Sequence, residues 1–299
     1  MSSFDVVILT DSRYVNPSAP GEYVRNILQE DQLVSDALKN KGLSVSRKDW
    51  ADPDFDWSAT RSILFRSTWD YFDRFTQFQN WLDLVSTQTI LINSHSLIKW
   101  NLDKHYLNSL VRTEIEVIPT RYIQPGSNLS ISRLHDITGW TETVIKPTVG
   151  GAGRHTYRID ADNMSLVSDK LAPFLKQESF MLQPFQHSVL DHGEISLVFF
   201  GDTFSHAVLK KARPGDFRVQ DDFGGSIHKY TPSDQEISFG LRAVHACPEL
   251  PAYSRVDIIR NNQGKLAVSE LELIEPELWF RLNSDSSALL AEEIFKRLA

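Results

Sequence analysis

Four short apolar runs, "FDVVIL", "LSVSR", "SILFR" and "TILIN", occupy residues 4 to 92 and are separated by stretches whose apolar residues recur at helical spacing. Val24, Ile27, Leu28, Val34 and Leu38 mark one helical face, and Phe75, Phe78, Leu82 and Val85 mark another. Strand–helix–strand alternation leaves little choice of topology. Strands joined by crossover helices run parallel, so this region predicts a parallel sheet covered by helices, with ligand-binding loops at the carboxyl ends of the strands.

The rhythm then changes twice. "ETVIK", "HTYRI" and "FMLQPF" surround a helix expected over 162–176, which predicts a small antiparallel sheet packed by a helix. "EISLVFF" and "TFSHAVLKK", joined at Gly201-Asp202, read as one hairpin; "YSRVDIIR" and "KLAVSELEL", joined by "NNQG", read as a second. The expected boundaries are 1–100, 101–184 and 185–299. No internal repeat or low-complexity tract interrupts them.

With 299 residues, 41% of them hydrophobic and 23% charged, the chain can bury a large core divided among two or three lobes. A formal charge of -8 and a pI near 5.6 argue against a nucleic-acid partner. Cys247 is the only cysteine, which excludes an internal disulfide and a cysteine-based zinc cluster and suits a reducing compartment. "FDVVIL" is too short to span a membrane and has no basic leader, so a cytoplasmic protein without a membrane partner is expected.

Two stretches carry chemistry. "VIKPTVGGAGRHTYRI" places Gly150, Gly151 and Gly153 between strand-like runs, with Lys146 and Arg154 on either side. It reads equally as a plain hairpin or as a loop whose bare N–H groups cradle phosphate. In "VSELEL" the strand alternation puts Glu270 and Glu272 on one face and Leu271 and Leu273 on the other. A four-residue turn pairing Arg260 with Lys265 would set Asp257 opposite Val268, diagonal to Glu270 on the same face. Three such carboxylates suit magnesium shared with nucleotide phosphates; the alternative is a solvated, charged strand face. Arg66 ends a predicted parallel strand, where a guanidinium either clamps a substrate carboxylate or forms a surface ion pair with Asp70 or Asp73. Arg281 has the same two readings. The nine histidines show no ligand spacing, and Trp50, Trp57, Trp81 and Trp140 most simply serve packing.

A lysine strand with a glycine loop, then "FMLQPF", basic "KKARPGDFR" and "RVDIIRNNQGKLAVSELELIEP", in that order, resembles the ATP-grasp superfamily over about two thirds of the chain. The resemblance implies an α/β and α+β fold, the ATP-grasp fold: an N-terminal parallel α/β lobe on the substrate side (1–100), and two antiparallel-sheet lobes (101–184 and 185–299) holding ATP between them. It implies that Lys104 and Lys146 reach the nucleotide and that Gly150, Gly151 and Gly153 close over its phosphates. Gln183, Pro184 and Phe185 would read the adenine edge. Lys211 and Arg218 would neutralise the transferring phosphate, Asp257, Glu270 and Glu272 would hold magnesium, and Arg66 and Arg281 would take substrate.

The activity so implied is a ligation. A small-molecule carboxylate is phosphorylated to an acylphosphate, and an amine then displaces phosphate to form a C–N bond, releasing ADP and phosphate; a homodimer is the expected assembly. The chain departs from the family pattern where Glu272 replaces a common asparagine, where Pro276 falls one residue late, and where Arg154-His155 continue the glycine loop. Its length, "RSTWDY" and "ELELIEPELW" are similar to the small group containing the D-cycloserine-forming ligase, with glutathione-synthetase-like members as neighbours. The rival classes are a phosphotransferase, which would leave a stable phosphorylated product, and a non-catalytic ATP-binding module.

Overall fold

A computed structural model describes residues 3–219 and 224–299. Strands β1 (Phe4–Thr10), β2 (Val45–Asp49), β3 (Thr60–Ser67) and β4 (Ile90–Ile92) form one sheet in the order β2-β1-β3-β4, with every neighbouring pair parallel. Central strands of such a sheet are covered on both faces, which is why β1 and β3 read as continuous rather than alternating apolar runs. Val6 and Ile8 pack against Val34 and Leu38 of the helix Glu22–Asn40. Val7, Leu9 and Phe65 pack on the opposite face against Phe78 and Leu82 of the helix Phe75–Val85. Trp50, Trp57 and Trp81 join this second cluster in edge-on ring contacts, as their packing reading anticipated.

The second sheet contains β5 (Arg121–Ile123), β6 (Thr143–Pro147), β7 (Tyr157–Ile159) and β8 (Phe180–Pro184), antiparallel in the order β5-β8-β6-β7. Its covering helix is shorter than the expected 162–176. It spans Met164–Leu171: Ala172 keeps helical angles, but Pro173 supplies no N–H to continue the hydrogen-bond ladder. A second helix, Ile131–Thr138, closes the same core and carried too short an apolar pattern to be anticipated.

The third sheet has the order β11-β10-β9-β12-β13, all antiparallel, from β9 (Glu194–Phe200), β10 (Thr203–Lys211), β11 (Ser226–Tyr230), β12 (Tyr253–Arg260) and β13 (Leu266–Glu272). The helix Asp234–His245 lies on one face, started by a reciprocal cap between Ser233 and Glu236. The register of the last hairpin differs from expectation. Arg260 faces Leu266, because the Asn261 carboxamide accepts hydrogen bonds from the Gln263 and Lys265 N–H groups and folds residues 261–265 into a longer turn. A bulge between Asp257 and Ile258, with Ser269 as the extra residue of β13, then restores the parity. Asp257 therefore faces Glu270 directly, and Arg255 faces Glu272.

The last helix, Ser286–Leu298, sets Leu290, Ala291 and Ile294 in one cluster with Val34 and Leu38 of the first lobe and Val198 and Phe200 of the third sheet. The chain's final stretch thus returns to its beginning and clamps two sheets together.

Gly240 tests how closely the third sheet is packed. A Cβ there would stand 2.6 Å from Leu197 Cδ1 and 3.0 Å from the Phe199 ring. Gly240→Ala gains about 1 kcal/mol of helix propensity but overpacks a buried face. The expected result is a net loss of about 1–2 kcal/mol in denaturant unfolding. Cys247 gives a second test. Burial pushes its thiol up to about 12, so the folded protein holds the protonated form. Its stabilising effect is complete below the ordinary thiol range and fades as pH rises through it toward 12. At pH 8 iodoacetamide should modify Cys247 only after unfolding.

Candidate active site

The second and third sheets face one another across a cleft of about 280 Å³, to whose lining the first lobe contributes Trp69 and Tyr71. Its floor is the face of the third sheet opposite the helix Asp234–His245. Alternation makes that floor: Leu271 and Val256 turn into the core, while Glu270, Glu272, Asp257 and Arg255 turn outward to the cleft. Strands β9 and β10 add Glu194, Ser196 and Lys210, since Lys210 pairs with Glu194 and Ser196 with Asp257.

Charges on the floor compensate one another. Asp257 accepts hydrogen bonds from Ser196 Oγ at 2.6 Å, Lys210 Nζ at 2.9 Å and the Arg255 guanidinium at 2.9 Å. Burial opposes its charge, but Arg255 and Lys210 outweigh that cost and hold the carboxyl well below the usual range. Lys210 also meets Glu194 at 2.5 Å. Glu270 lies 3.2 Å from Lys104 and 3.7 Å from Lys146. Burial again works against the charge, and the two lysines overcome it, lowering the Glu270 carboxyl to about 2. Burial, partly opposed by Arg255 and reinforced by Glu270 and Asp257, pushes Glu272 up to about 8. Arg255 is nonetheless its direct ion-pair partner.

The glycine loop covers the cleft. Lys104 donates to the Gly150 carbonyl at 2.5 Å, tying the loop to the floor. A Cβ on Gly151 would come within 3.3 Å of the Phe72 ring, and Gly153 has φ 64°, a left-handed backbone that glycine accepts without strain. The hinge strand β8 places Gln183, Pro184 and Phe185 on the other side. Gln183 is oriented by its bond to Thr120 Oγ1 at 2.9 Å. Phe185 cannot offer its N–H to a base, and its carbonyl keeps one lone pair. The β6–β8 ladder runs one residue past the strand end, so its N–H is bound by the Glu142 carbonyl, and its own carbonyl accepts from Asn262. Gln186, next in the chain, also lines the cleft.

Three other expectations change. Lys211 is exposed and points away, because the even-numbered residues of β10 own the cleft face; Lys210 takes its place. Arg66 and Arg281 lie outside the cleft. The helix Glu22–Asn40 lays Glu30 and Asp31 across the end of β3, leaving Arg66 buried beside them at 3.8 and 3.7 Å and bonded to the Pro276 carbonyl. The adjoining space is about 10 Å³, room for one water at most, so no substrate carboxylate fits there. Arg281 pairs with Glu30 and Glu277. Arg218 does line the cleft, bonded to Asp216 at 2.7 Å. Sequence reasoning missed Arg255, which shares strand parity with Asp257 and was within reach of that rule.

The three acids do not form a ready-made metal cage. Among the described residues no group of three or more His, Cys, Asp or Glu side chains is gathered for a metal ion, and Asp257 already spends its oxygens on Arg255, Lys210 and Ser196. Glu270 and Glu272 remain half-buried hard oxygen donors facing the cleft, a set that fits magnesium when nucleotide oxygens supply the rest of its shell.

Residues 6–93 match the pattern of the N-terminal domain of the D-cycloserine synthetase DcsG. The chain is 31% identical over 282 residues to the cycloserine biosynthesis protein DcsG of Streptomyces lavendulae, covering 88% of this chain and 92% of that one. The crystal structure of D-cycloserine synthetase DcsG superposes with a TM-score of 0.87 at 29% identity, covering 98% of this chain and 99% of that one. The D-alanine–D-alanine ligase of Bacillus anthracis in complex with ATP shares the fold at a TM-score of 0.65 and 12% identity, over 99% and 97% of the two chains.

The floor predicts a contrast between neighbouring lysines. Lys210→Met removes one of the two cations of buried Asp257 and the ion-pair partner of half-buried Glu194, and should cost about 1.5–3 kcal/mol in denaturant unfolding, the range of a lost charged hydrogen bond. Lys211→Met should stay within about 0.5 kcal/mol of the parent protein.

Proposed function

Since the chain belongs to the ATP-grasp ligases of the D-cycloserine synthetase family, an ATP-dependent group of enzymes, we propose that it activates the carboxylate of a small amino-acid-like molecule as an acylphosphate and closes a C–N bond upon it. One observation carries this reading: Lys104, Lys146, Lys210 and Arg255 line one cleft beneath a glycine loop, each paired with a carboxylate. Lys104 and Lys146 are poised to exchange Glu270 for phosphate oxygens, while Arg255 and Lys210 stay with Asp257 and face the same space.

Gln183, the Pro184 carbonyl and Gln186 hold the adenine edge, and Gly150, Gly151 and Gly153 cover the phosphates. Lys104 and Lys146 turn from Glu270 to the phosphate oxygens. Glu270 and Glu272 would hold magnesium, which when bound adds positive charge where the phosphoryl group is negative. A substrate carboxylate oxygen takes the γ-phosphoryl group and ADP leaves. The nitrogen lone pair then attacks the acyl carbon, phosphate departs with the C–O bonding electrons, and the nitrogen loses its extra proton. Arg255 and Lys210 stabilise the charge that gathers at the floor, and the closed loop keeps water from the acylphosphate. Similarity to a D-cycloserine synthetase supports the intramolecular version, in which an amino-acid derivative supplies both carboxylate and nitrogen. No helix among the described residues is long and apolar enough to cross a membrane.

Release of ADP and phosphate should require an amino-acid-derived substrate, and added hydroxylamine should trap the acyl intermediate as a hydroxamate. A stable phosphorylated product would identify a phosphotransferase instead. Glu270→Gln keeps the shape but removes the charge, and should lower ADP formation by about a hundredfold or more while leaving a cooperative unfolding transition. A fully active Glu270→Gln enzyme would place the magnesium elsewhere.

A further inference from the structure

Arg154 sits inside the glycine loop yet is held by two different lobes. Its Nη1 and Nη2 form a forked pair with Glu178 at 2.6 and 2.9 Å, just before β8 in the second lobe. Its Nε reaches Asp73 of the first lobe at 3.1 Å. The loop touches the first lobe a second time, where Gly151 packs beneath Phe72. Both contacts fall on the segment 68–74, whose Trp69 and Tyr71 line the cleft from the first lobe. That wall is stiffly mounted. Trp69 donates to the Glu275 carbonyl at 3.0 Å, and Asp70 accepts from Trp50 at 2.6 Å and from Arg74 at 2.7 Å.

We propose that Arg154 couples the nucleotide lid to the substrate wall, with Asp73 and Glu178 as positioning residues that hold it in register. The proposal rests on the loop being a nucleotide lid, and adds that closing it steadies the wall against which the carboxylate substrate lies. The forked pair with Glu178 fixes the direction of the guanidinium, and the Asp73 contact carries the loop's position across to the first lobe. Linkage makes the effect reciprocal: nucleotide improves binding of the acyl substrate by the same factor by which that substrate improves binding of nucleotide. Asp73 is exposed and outside the proposed catalytic machinery, so its removal tests coupling without dismantling the site.

Hydrogen exchange with a non-hydrolysable ATP analogue and magnesium is the test. In the parent protein the probe should slow exchange in both 148–156 and 68–74. In Asp73→Asn the lid should still respond, while protection of 68–74 falls about twofold to fivefold, the range of one partly exposed ion pair. Asp73→Glu should restore it, and the thermal midpoints should agree. If 148–156 does not respond in the parent protein, the lid reading fails and the coupling with it. If the lid responds but Asp73→Asn leaves the 68–74 response intact, the coupling alone is wrong.

Discussion

The pairing of Asp257 with Arg255 and Lys210 is the interaction on which the cleft depends. All three side chains are almost wholly buried. Removing an ion from water costs several kcal/mol unless a close partner and further hydrogen bonds offset it. Asp257 meets that condition with Ser196 as well as its two cations. The cations therefore stand at fixed places along the floor before any ligand arrives, at a cost already met in folding. Under the proposed function a site built this way would reorganise little as phosphates bind, the preorganisation from which most electrostatic catalysis originates.

Keeping that floor in place requires control of β13, the edge strand of the third sheet. An open edge would leave a row of unpaired backbone groups. Here other lobes occupy it. Asn101 donates to the Leu271 carbonyl and accepts from the Leu273 N–H, Tyr106 accepts from the Leu271 N–H, and the Val268 N–H bonds the Glu116 carbonyl. Asn93 spans the Tyr253 and Leu273 carbonyls. These bonds come from the stretch linking the first lobe to the second, which also carries Lys104. The same contacts that satisfy the edge thus position Lys104 beside Glu270.

Much of this was legible in the chain, and the failures have specific causes. Period gave the parallel sheet and the two hairpins, because β1 and β9 are strongly apolar, β3 has the apolar centre 63–65, and Gly201-Asp202 and the "NNQG" turn mark the hairpin tips. The facing of Asp257 and Glu270 came out on the correct side although its register did not. Asn261 lengthened the turn and a bulge at Ser269 cancelled the slip, and neither residue type announces that arrangement. Strand parity could have separated Lys210 from Lys211, but only with the β9 register known. Arg66 was unreadable for another reason. Its partners Glu30 and Asp31 lie more than thirty residues away on a helix whose rotation over the sheet is set by packing. Long-range ion pairs of this kind leave no local pattern.

The three lobes consequently share one electrostatic problem and solve it jointly. The second lobe brings Lys146, the linker brings Lys104 and the third sheet brings the acids, so no lobe is electrically balanced at the cleft without the others. In the proposed reaction, opening the cleft to admit nucleotide would loosen Glu270 from at least one lysine. An incoming triphosphate repays that loss, because it offers the same lysines several anionic oxygens in place of one carboxylate. Release of ADP and phosphate would return the lysines to Glu270, giving product departure in the proposed reaction a competing partner already in place. Under the proposed function a carboxylate at position 270 would do two things at once: offer oxygens to a metal when nucleotide is present and keep Lys104 and Lys146 engaged when it is absent.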